Sequence, residues 1–128
     1  MNMNVTPYEA LGGEKVLTAL IERFYYRYVK NHPDLAPLFP EDLTEVARKQ
    51  KQFLTQFLGG PPLYTEEHGH PMLRKRHMRF VIRPKQAEAW LECMNNAMDD
   101  VGLEGEIREY VFERLKMTAY HMVNHPPL

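Results

Sequence analysis

RKQKQFLTQFLGGPPLYTEEHGHPMLRKRH, residues 48–77, is the stretch that decides the fold. It opens inside a helix that is predicted to begin at Asp42, with Glu45 as its capping-box partner, and to end at Gly59-Gly60. Residues 59–71 are predicted to form a long loop, which in a compact domain is usually functional or shaped around something. A short helix from Pro71 to His77 follows. The helix before the loop carries an apolar stripe at helical spacing, which comprises Leu43, Val46, Gln50, Phe53, Leu54 and Phe57.

The segment before this stretch is also helical in its periodicity. A helix is predicted from Glu14 to about Lys30, and it ends before His32-Pro33 because proline disfavours helix in the residue that precedes it. A short turn or one-turn helix, Asp34 to Leu38, leads on to Phe39-Pro40. The inward-facing residues of the long helix are predicted to be Val16, Leu17, Leu20, Ile21, Phe24 and Tyr28.

Two further helices are predicted after the stretch. The first begins at Pro84, which suits the first turn of a helix, and the second runs from about Glu106 to Val123. No hairpin signal competes with them, so the predicted class is all-α. The first carries the cleanest period in the chain, formed by Ala87, Trp90, Leu91, Met94, Ala97, Met98 and Val101. The second is predicted to turn inward Ile107, Tyr110, Val111, Leu115, Thr118 and Met122.

Length and composition narrow the class of protein. The chain has 128 residues, of which 44% are hydrophobic and 26% charged, with a formal net charge of -1. These values predict one globular domain, residues 1–128, with no reason to expect nucleic acid as a partner. No apolar run approaches the roughly 20 residues that span a bilayer, and the N-terminus lacks a signal-peptide pattern. Cys93 has no second cysteine to pair with, so we expect it to be structural and reduced, in a cytoplasmic setting.

Three residues are candidates for chemistry. His77 ends the short helix, and a neutral imidazole is a good iron ligand when its other nitrogen is held by a hydrogen bond. An exposed histidine in a basic run would look the same. Gln50 is a polar residue on an apolar stripe, where it could aim at a bound ligand or reach solvent. Trp90 offers one N–H donor, which could serve a ligand or a backbone carbonyl.

Other polar groups are weaker candidates. His68 and His70 lack the further ligands of a zinc site, so we interpret them as loop residues. The basic run Arg74, Lys75 and Arg76 would suit a ligand with carboxylates, or could be a solvated helix face. No nucleophile–base motif, phosphate loop or metalloprotease motif is present, which gives little support to hydrolysis or phosphoryl transfer.

Five segments together resemble the group II truncated haemoglobins: YEALGGE, FPEDLTE, residues 48–77, AWLECM and TAYHMVN. The resemblance extends from Tyr8 to Asn124 and includes the glycine pairs Gly12-Gly13 and Gly59-Gly60. It implies a reduced globin, in which two antiparallel helix pairs are laid one over the other around a haem, here haem b. The implied ligands are O₂ and related diatomics.

The resemblance also assigns roles to single residues. It makes His77 the proximal iron ligand, Trp90 the distal-pocket tryptophan, Gln50 the polar distal position and Phe39 the aromatic on the haem face. Trp90, Gln50 and a tyrosine would then donate hydrogen bonds to a diatomic ligand at a pentacoordinate iron. The other positions implied to line the haem or its propionate side are Phe53, Tyr64, Met72, Leu73, Arg76, Phe80 and Ile82.

Two positions depart from the resemblance. Val46 stands where many relatives carry a small or polar residue, and a valine cannot hydrogen-bond a ligand. FYYRYVKNHP is one residue longer than its counterparts, so the distal tyrosine is either Tyr25 or Tyr26. An unbroken helix puts Tyr25 at the edge of the inward stripe and Tyr26 towards solvent, which favours Tyr25. A bulge inside the helix would favour Tyr26.

The resemblance leaves several functions open. Three possible donors around one small ligand favour tight binding, scavenging or redox chemistry over bulk oxygen transport, with peroxide or nitric oxide turnover and a reductase as possibilities. A monomer and a homodimer are both compatible with the sequence. The competing hypothesis is a haem-free helical module that binds a protein partner through a methionine-rich groove. Such a groove would not need Gln50, Trp90 and a tyrosine to converge.

Overall fold

The computed structural model describes residues 5–127, and within them 70% of the chain is helical and no strand occurs. The all-α class is therefore confirmed. Seven α-helices run in the order α1 (Pro7–Leu11), α2 (Gly13–Glu22), α3 (Thr44–Phe57), α4 (Leu63–His68), α5 (Leu73–His77), α6 (Pro84–Asp100) and α7 (Gly105–His121). A π-helical segment (Arg23–Tyr28) and a 3₁₀ turn (Val29–Asn31) extend α2, and a second 3₁₀ turn covers Ala36–Leu38.

The long helices pack as two pairs, α2 with α3 and α6 with α7. The π-helical segment joins the pairs because it packs against α6. Side chains from both pairs meet in one core whose most completely buried members include Leu17, Phe24, Leu54, Met94 and Met98. This is the two-over-two arrangement that the sequence predicts. No helix among residues 5–127 is long and apolar enough to cross a membrane.

The end of α3 depends on a close backbone contact at Gly60. The Gly60 N–H donates to the Thr55 carbonyl at 2.8 Å. A Cβ at Gly60 would lie 2.9 Å from that same oxygen, so only glycine fits the turn without displacing backbone. This tight turn reverses the chain and places α4 against α3.

The segment predicted as one long loop contains the helix α4, so that prediction is wrong. The helix spans the six residues between Pro62 and Gly69, and Gly69 ends it with a φ of 79°. The helix is held from α3, because the side chain of Gln56 donates to Thr65 Oγ1 at 2.7 Å and accepts from the Thr65 N–H at 2.9 Å. Tertiary contacts therefore supply what six residues alone lack.

The start of α3 also differs from the prediction. The helix begins at Thr44, and the carboxylate of Asp42 accepts the Thr44 N–H at 3.0 Å, which lowers the pKa of Asp42. Glu45 does not close a capping box, since it pairs with Arg48 at 2.9 Å.

In the last helix, α7, the side chain of Tyr110 was predicted to face inward but is 40% exposed.

The predicted helix from Glu14 to about Lys30 is not unbroken. Regular α-geometry stops at Glu22, and the π-helical turn shifts the inward face from i+4 to i+5 spacing, so Phe24 and Val29 are both fully buried. Tyr28, predicted to face the core, is half-buried and packs against the core with its ring. Its hydroxyl donates to the Asp100 carboxylate at 2.6 Å. A π-helical turn is one way in which a helix takes up an extra residue, so the bulge that the sequence analysis left open is present and the prediction of an unbroken helix is wrong.

Candidate functional site

One large cavity of about 520 Å³ lies between the two helix pairs. That size falls within the roughly 300–1,000 Å³ that is usual for cofactor and ligand sites. Eleven of the twelve residues that the sequence predicts for the site line it. They are Tyr25, Phe39, Gln50, Phe53, Tyr64, Leu73, Arg76, His77, Phe80, Ile82 and Trp90.

The twelfth residue, Met72, does not reach the cavity. It is 44% exposed and does not line the cavity. Its backbone has a left-handed conformation, with a φ of 43°, at the residue just before α5. Nothing in the sequence marks that conformation, and it turns the Met72 side chain outward.

His77 lies at the last position of α5 and presents one ring nitrogen to the cavity. Its Nδ1 is 2.6 Å from the carbonyl oxygen of Leu73, one turn earlier. A carbonyl can only accept, so this contact assigns the ring proton to Nδ1 and leaves the lone pair of Nε2 available. Nε2 has no hydrogen-bond partner in the described part of the chain. A metal-binding imidazole needs this arrangement.

Three potential donors line the same cavity without a partner. Within residues 5–127 no hydrogen bond is made by the hydroxyl of Tyr25, the side-chain amide of Gln50 or the indole N–H of Trp90. None of them is sealed away from open space, because the described part of the chain contains no fully enclosed, unpartnered polar side-chain atom. An unmade hydrogen bond costs about 1–3 kcal/mol when the group is desolvated. Tyr25, Gln50 and Trp90 therefore offer three donors to a molecule that fills the cavity and excludes water from it.

Tyr25 is held in place by aromatic neighbours. It is 3% exposed, with its ring edge-on to Phe24 at 4.8 Å and to Phe39 at 5.8 Å between centroids. Phe24 in turn contacts Trp90 at 4.9 Å. Burial raises the pKa of Tyr25 above its usual range, so the hydroxyl keeps its proton and remains a donor at neutral pH. Tyr26, by contrast, is 45% exposed and does not line the cavity.

The basic run before His77 is used mainly for internal bonds. Arg76 lines the cavity, but its guanidinium donates to the carbonyls of Pro71 at 2.7 Å, His68 at 3.1 Å and His70 at 3.3 Å. Arg74 donates to two carbonyls at the end of α7, and Lys75 does not line the cavity. The prediction that this run as a whole meets a carboxylate ligand is therefore only partly compatible with the structure.

Two other cations at the cavity were missed by the sequence reasoning. Lys49 and Arg79 both line it, and neither forms a salt bridge or a hydrogen bond in the described residues. The guanidinium of Arg79 lies 4.8 Å from the ring centroid of Phe80. Helical spacing could have found Lys49, since it lies one turn after Val46 and one turn before Phe53 on α3. Arg79 lies after α5, where no period applies.

The two histidines of the HGH motif, His68 and His70, lie at the end of α4 and just after it. The ring of His68 is stacked at a tilt against Tyr64, with centroids 4.7 Å apart, and its Nε2 lies 2.8 Å from Gln52 Oε1. His70 accepts the Met72 N–H at 3.3 Å. His68 belongs to a helix, so the interpretation of both as loop residues holds for His70 alone. Among residues 5–127 no group of three His, Cys, Asp or Glu side chains could hold a metal ion.

Cys93 lies on α6 at a position that is 2% exposed, and burial raises the pKa of its thiol to about 11. The reactive form of cysteine is the thiolate, which is then scarce at neutral pH. We expect a small thiol reagent to label the native protein slowly and the urea-unfolded protein at once, as measured by mass spectrometry over time. Equal rates in the two states would show that the position opens readily.

These residues fit a haem. The cavity walls are mostly apolar, one imidazole nitrogen is available for an iron, and two free cations are present for propionates. A two-over-two helical sandwich with such a cavity defines a globin of the truncated kind.

The comparisons with known proteins agree with that class. The family of bacterial-like globins matches residues 6–124. The group 2 truncated haemoglobin YjbI of Bacillus subtilis (strain 168) is 68% identical over 118 residues, which cover 92% of this chain and 88% of that protein. The crystal structure of the group II truncated haemoglobin from Bacillus anthracis has a TM-score of 0.94 at 67% identity, and covers 96% of this chain and 99% of that one.

A third match is the X-ray structure of a truncated oxygen-avid haemoglobin from Bacillus subtilis, with a TM-score of 0.91, 66% identity, and coverage of 94% and 100%. The chain belongs to the bacterial-like globins, and within them to the group II truncated haemoglobins. Globins hold haem and bind oxygen and other small diatomic ligands through it. The haem-free interaction module is not favoured by this membership.

Proposed function

We propose that the protein binds O₂ and related diatomic ligands at a pentacoordinate haem b iron held by Nε2 of His77. The observation that carries this proposal is the set of three unpartnered donors, Tyr25, Gln50 and Trp90, in the cavity that also receives His77. The cofactor would supply a ferrous iron that binds such ligands and passes electron density to them. Donors aimed at developing negative charge in a dry site stabilise it more than water does.

The rest of the cavity has a supporting part. Phe39, Phe53, Leu73, Phe80 and Ile82 would exclude water from the two faces of the macrocycle. Lys49 and Arg79 would meet its propionates, since charge-assisted hydrogen bonds are the stronger kind. Arg76 would contribute mainly by holding the turn before α5, given that most of its donors are already committed.

Three donors around one small ligand favour slow release. A slow-releasing protein suits scavenging or redox chemistry better than bulk transport, and the B. subtilis relative is described as oxygen-avid. Val46 lines the cavity but offers no hydrogen bond. Ligand stabilisation would therefore depend on Tyr25, Gln50 and Trp90 alone.

The first test is reconstitution of the purified protein with hemin. One equivalent should produce an intense haem absorption band, and reduction should give the spectrum of a five-coordinate ferrous protein. A protein that stays colourless with excess hemin would overturn the proposal. Oxygen association and dissociation kinetics, followed by a peroxide turnover assay, would then separate scavenging from redox chemistry.

Trp90→Phe should speed the release of O₂ by about three- to tenfold, because it keeps the bulk and removes one neutral donor worth about 0.5–1.5 kcal/mol. Stopped-flow mixing of the oxygenated protein with carbon monoxide measures the rate. Phe57→Leu is a suitable control, since Phe57 packs against the core at the edge of α3 but does not line the cavity. An unchanged rate in Trp90→Phe would remove the indole from the set of donors.

A further inference from the structure

The C-terminal residues 121–126, here called the strap, cross the loop that follows His77, residues 78–83, here called the proximal loop. The two segments are joined through the backbone. The N–H groups of Asn124 and His125 both donate to the carbonyl of Ile82, at 2.9 and 3.2 Å. The strap is thus paired with the loop that leaves His77.

The side chain of Asn124 makes three more bonds to the same region. Its Nδ2 donates to the carbonyl of Phe80 at 2.9 Å and to that of His77 at 3.3 Å. Its Oδ1 accepts the N–H of Ile82 at 2.9 Å, and Nδ1 of His125 lies 2.6 Å from the same oxygen. The amide nitrogen and the oxygen of the Asn124 side chain therefore both make hydrogen bonds, to the proximal loop and to His77 just before it.

Two arginines bind backbone carbonyls of the strap on either side of Asn124. Nη1 of Arg74, on α5, donates to the carbonyls of His121 at 2.6 Å and Val123 at 2.9 Å. Nη1 of Arg83, at the end of the proximal loop, donates to the carbonyl of Pro126 at 2.6 Å. These two hydrogen bonds give Arg74 a structural role that the sequence did not indicate.

These bonds matter because α5 is only five residues long. A single helical turn is not stable by itself, and the last carbonyls of any helix lack partners within it. His77 is the last residue of α5, so the direction of its ring follows the backbone at that helix end. The Leu73 carbonyl fixes the rotation of the ring. The carbonyl of His77 itself accepts from the Phe80 N–H at 3.0 Å and from the side-chain amide of Asn124 at 3.3 Å, and the same amide also holds the carbonyl of Phe80.

We propose that Asn124 is a positioning residue for His77, and that the strap sets the direction and stiffness with which Nε2 meets the iron. This inference rests on the proposed function, in which His77 binds the iron. A loosened strap should let α5 tilt, weaken the bond between imidazole and iron, and speed the loss of haem.

The test uses the haem-loaded protein and two variants of one residue. Asn124→Ala removes all of the side-chain bonds, whereas Asn124→Asp keeps an oxygen for the Ile82 N–H and removes both donors. The readouts are the iron–histidine stretching band in resonance Raman spectra of the reduced protein, haem transfer to apomyoglobin, and hydrogen exchange of the Ile82 amide. Asn96→Ala is the matched control, because Asn96 is also half-buried and makes no side-chain hydrogen bond in the described residues.

Asn124→Ala should shift or broaden the iron–histidine band, lose haem about tenfold faster and expose the Ile82 amide to exchange, since it removes several bonds worth about 1 kcal/mol each. Asn124→Asp should lose haem faster while the Ile82 amide stays protected. The control should resemble the parent protein. An unchanged Raman band and haem loss in a folded Asn124→Ala would overturn the proposal, whatever happens at Ile82.

Two further results keep the outcomes distinct. If Asn124→Ala loses its helical circular dichroism, Arg83→Gln, which removes only the bond to Pro126, is measured by the same readouts and decides in the same way. If His77→Ala keeps the iron–histidine band, the proposed function fails because another residue holds the iron. A faster exchange of Ile82 in Asn124→Ala would still show that the strap holds the proximal loop.

Discussion

His77→Ala is expected to cost the protein its haem. The variant removes the one imidazole that lines the cavity among the described residues, and leaves the Leu73 carbonyl without its donor. Loss of groups that merely support a metal ligand already weakens binding by about 10–100-fold. Removal of the ligand itself should therefore weaken haem binding by at least about 100-fold, as measured by titration with hemin and by transfer to apomyoglobin.

The matched control is His70→Ala. His70 is exposed and does not line the cavity, and within the described residues its ring makes only the hydrogen bond with the Met72 N–H. His70 is also the histidine that would be the next candidate for the iron ligand if His77 were not. A normal spectrum and affinity in His77→Ala, together with weak binding in His70→Ala, would show that the proximal assignment is wrong.

A rescue experiment separates ligation from folding. His77→Gly leaves a space the size of the missing ring beside Leu73 and Phe80. Free imidazole at millimolar concentration should enter that space and restore the five-coordinate ferrous spectrum. A variant that has simply unfolded would gain nothing from imidazole, and circular dichroism of the haem-free protein would confirm that its helices remain.

The helices could be predicted from the sequence where periodicity is uninterrupted. The stripe from Ala87 to Met98 has one period, and the predicted start at Pro84 is the observed start of α6. The prediction failed at α4, since LYTEEH is too short to show a period and is stabilised by Gln56 from another helix. A local pattern cannot report a partner that is brought close only by the fold.

The sequence and its family resemblance could predict which residues line the cavity, but not which hydrogen bonds they make. Resemblance to the family supplied Trp90, Gln50 and His77, and the structure brings all three to one cavity. The sequence could not show that Trp90 and Gln50 lack partners, nor that Arg76 is occupied by backbone carbonyls. Three-dimensional contacts decide which donors already have hydrogen-bond partners. No rule about the spacing of residues in the sequence could therefore predict which donors are free.

The first long helix contains a π-helical turn where the sequence analysis expected unbroken α-geometry. An unbroken helix was the reason to prefer Tyr25, yet the structure has a π-helical turn across Arg23–Tyr28. A bulge was expected to bring Tyr26 inward. Instead Tyr25 is buried and Tyr26 is exposed, because the i+5 spacing of the buried face runs from Phe24 to Val29. Residues up to and including Tyr25 therefore face the same directions as they would in a continuation of α2.

Tyr25→Phe should therefore speed the release of O₂ by about tenfold, whereas Tyr26→Phe should leave it unchanged. Tyr25 is 3% exposed and turns an unpartnered hydroxyl to the cavity, while Tyr26 is 45% exposed and lies outside it. Loss of one hydrogen bond of about 1.4 kcal/mol corresponds to a tenfold change in rate. Stopped-flow displacement by carbon monoxide measures both variants under the same conditions.

The double variant Tyr25→Phe with Trp90→Phe shows whether the two donors act on the same ligand. Phe24 contacts both rings, so their effects should couple and the combined change should differ from the product of the single ones. A strict product would indicate independent sites. If Tyr26→Phe alone changes the release rate, Tyr26 and not Tyr25 is the donor to the ligand. The π-helical turn must then reorganise when the haem is bound, because Tyr26 is exposed in this structure.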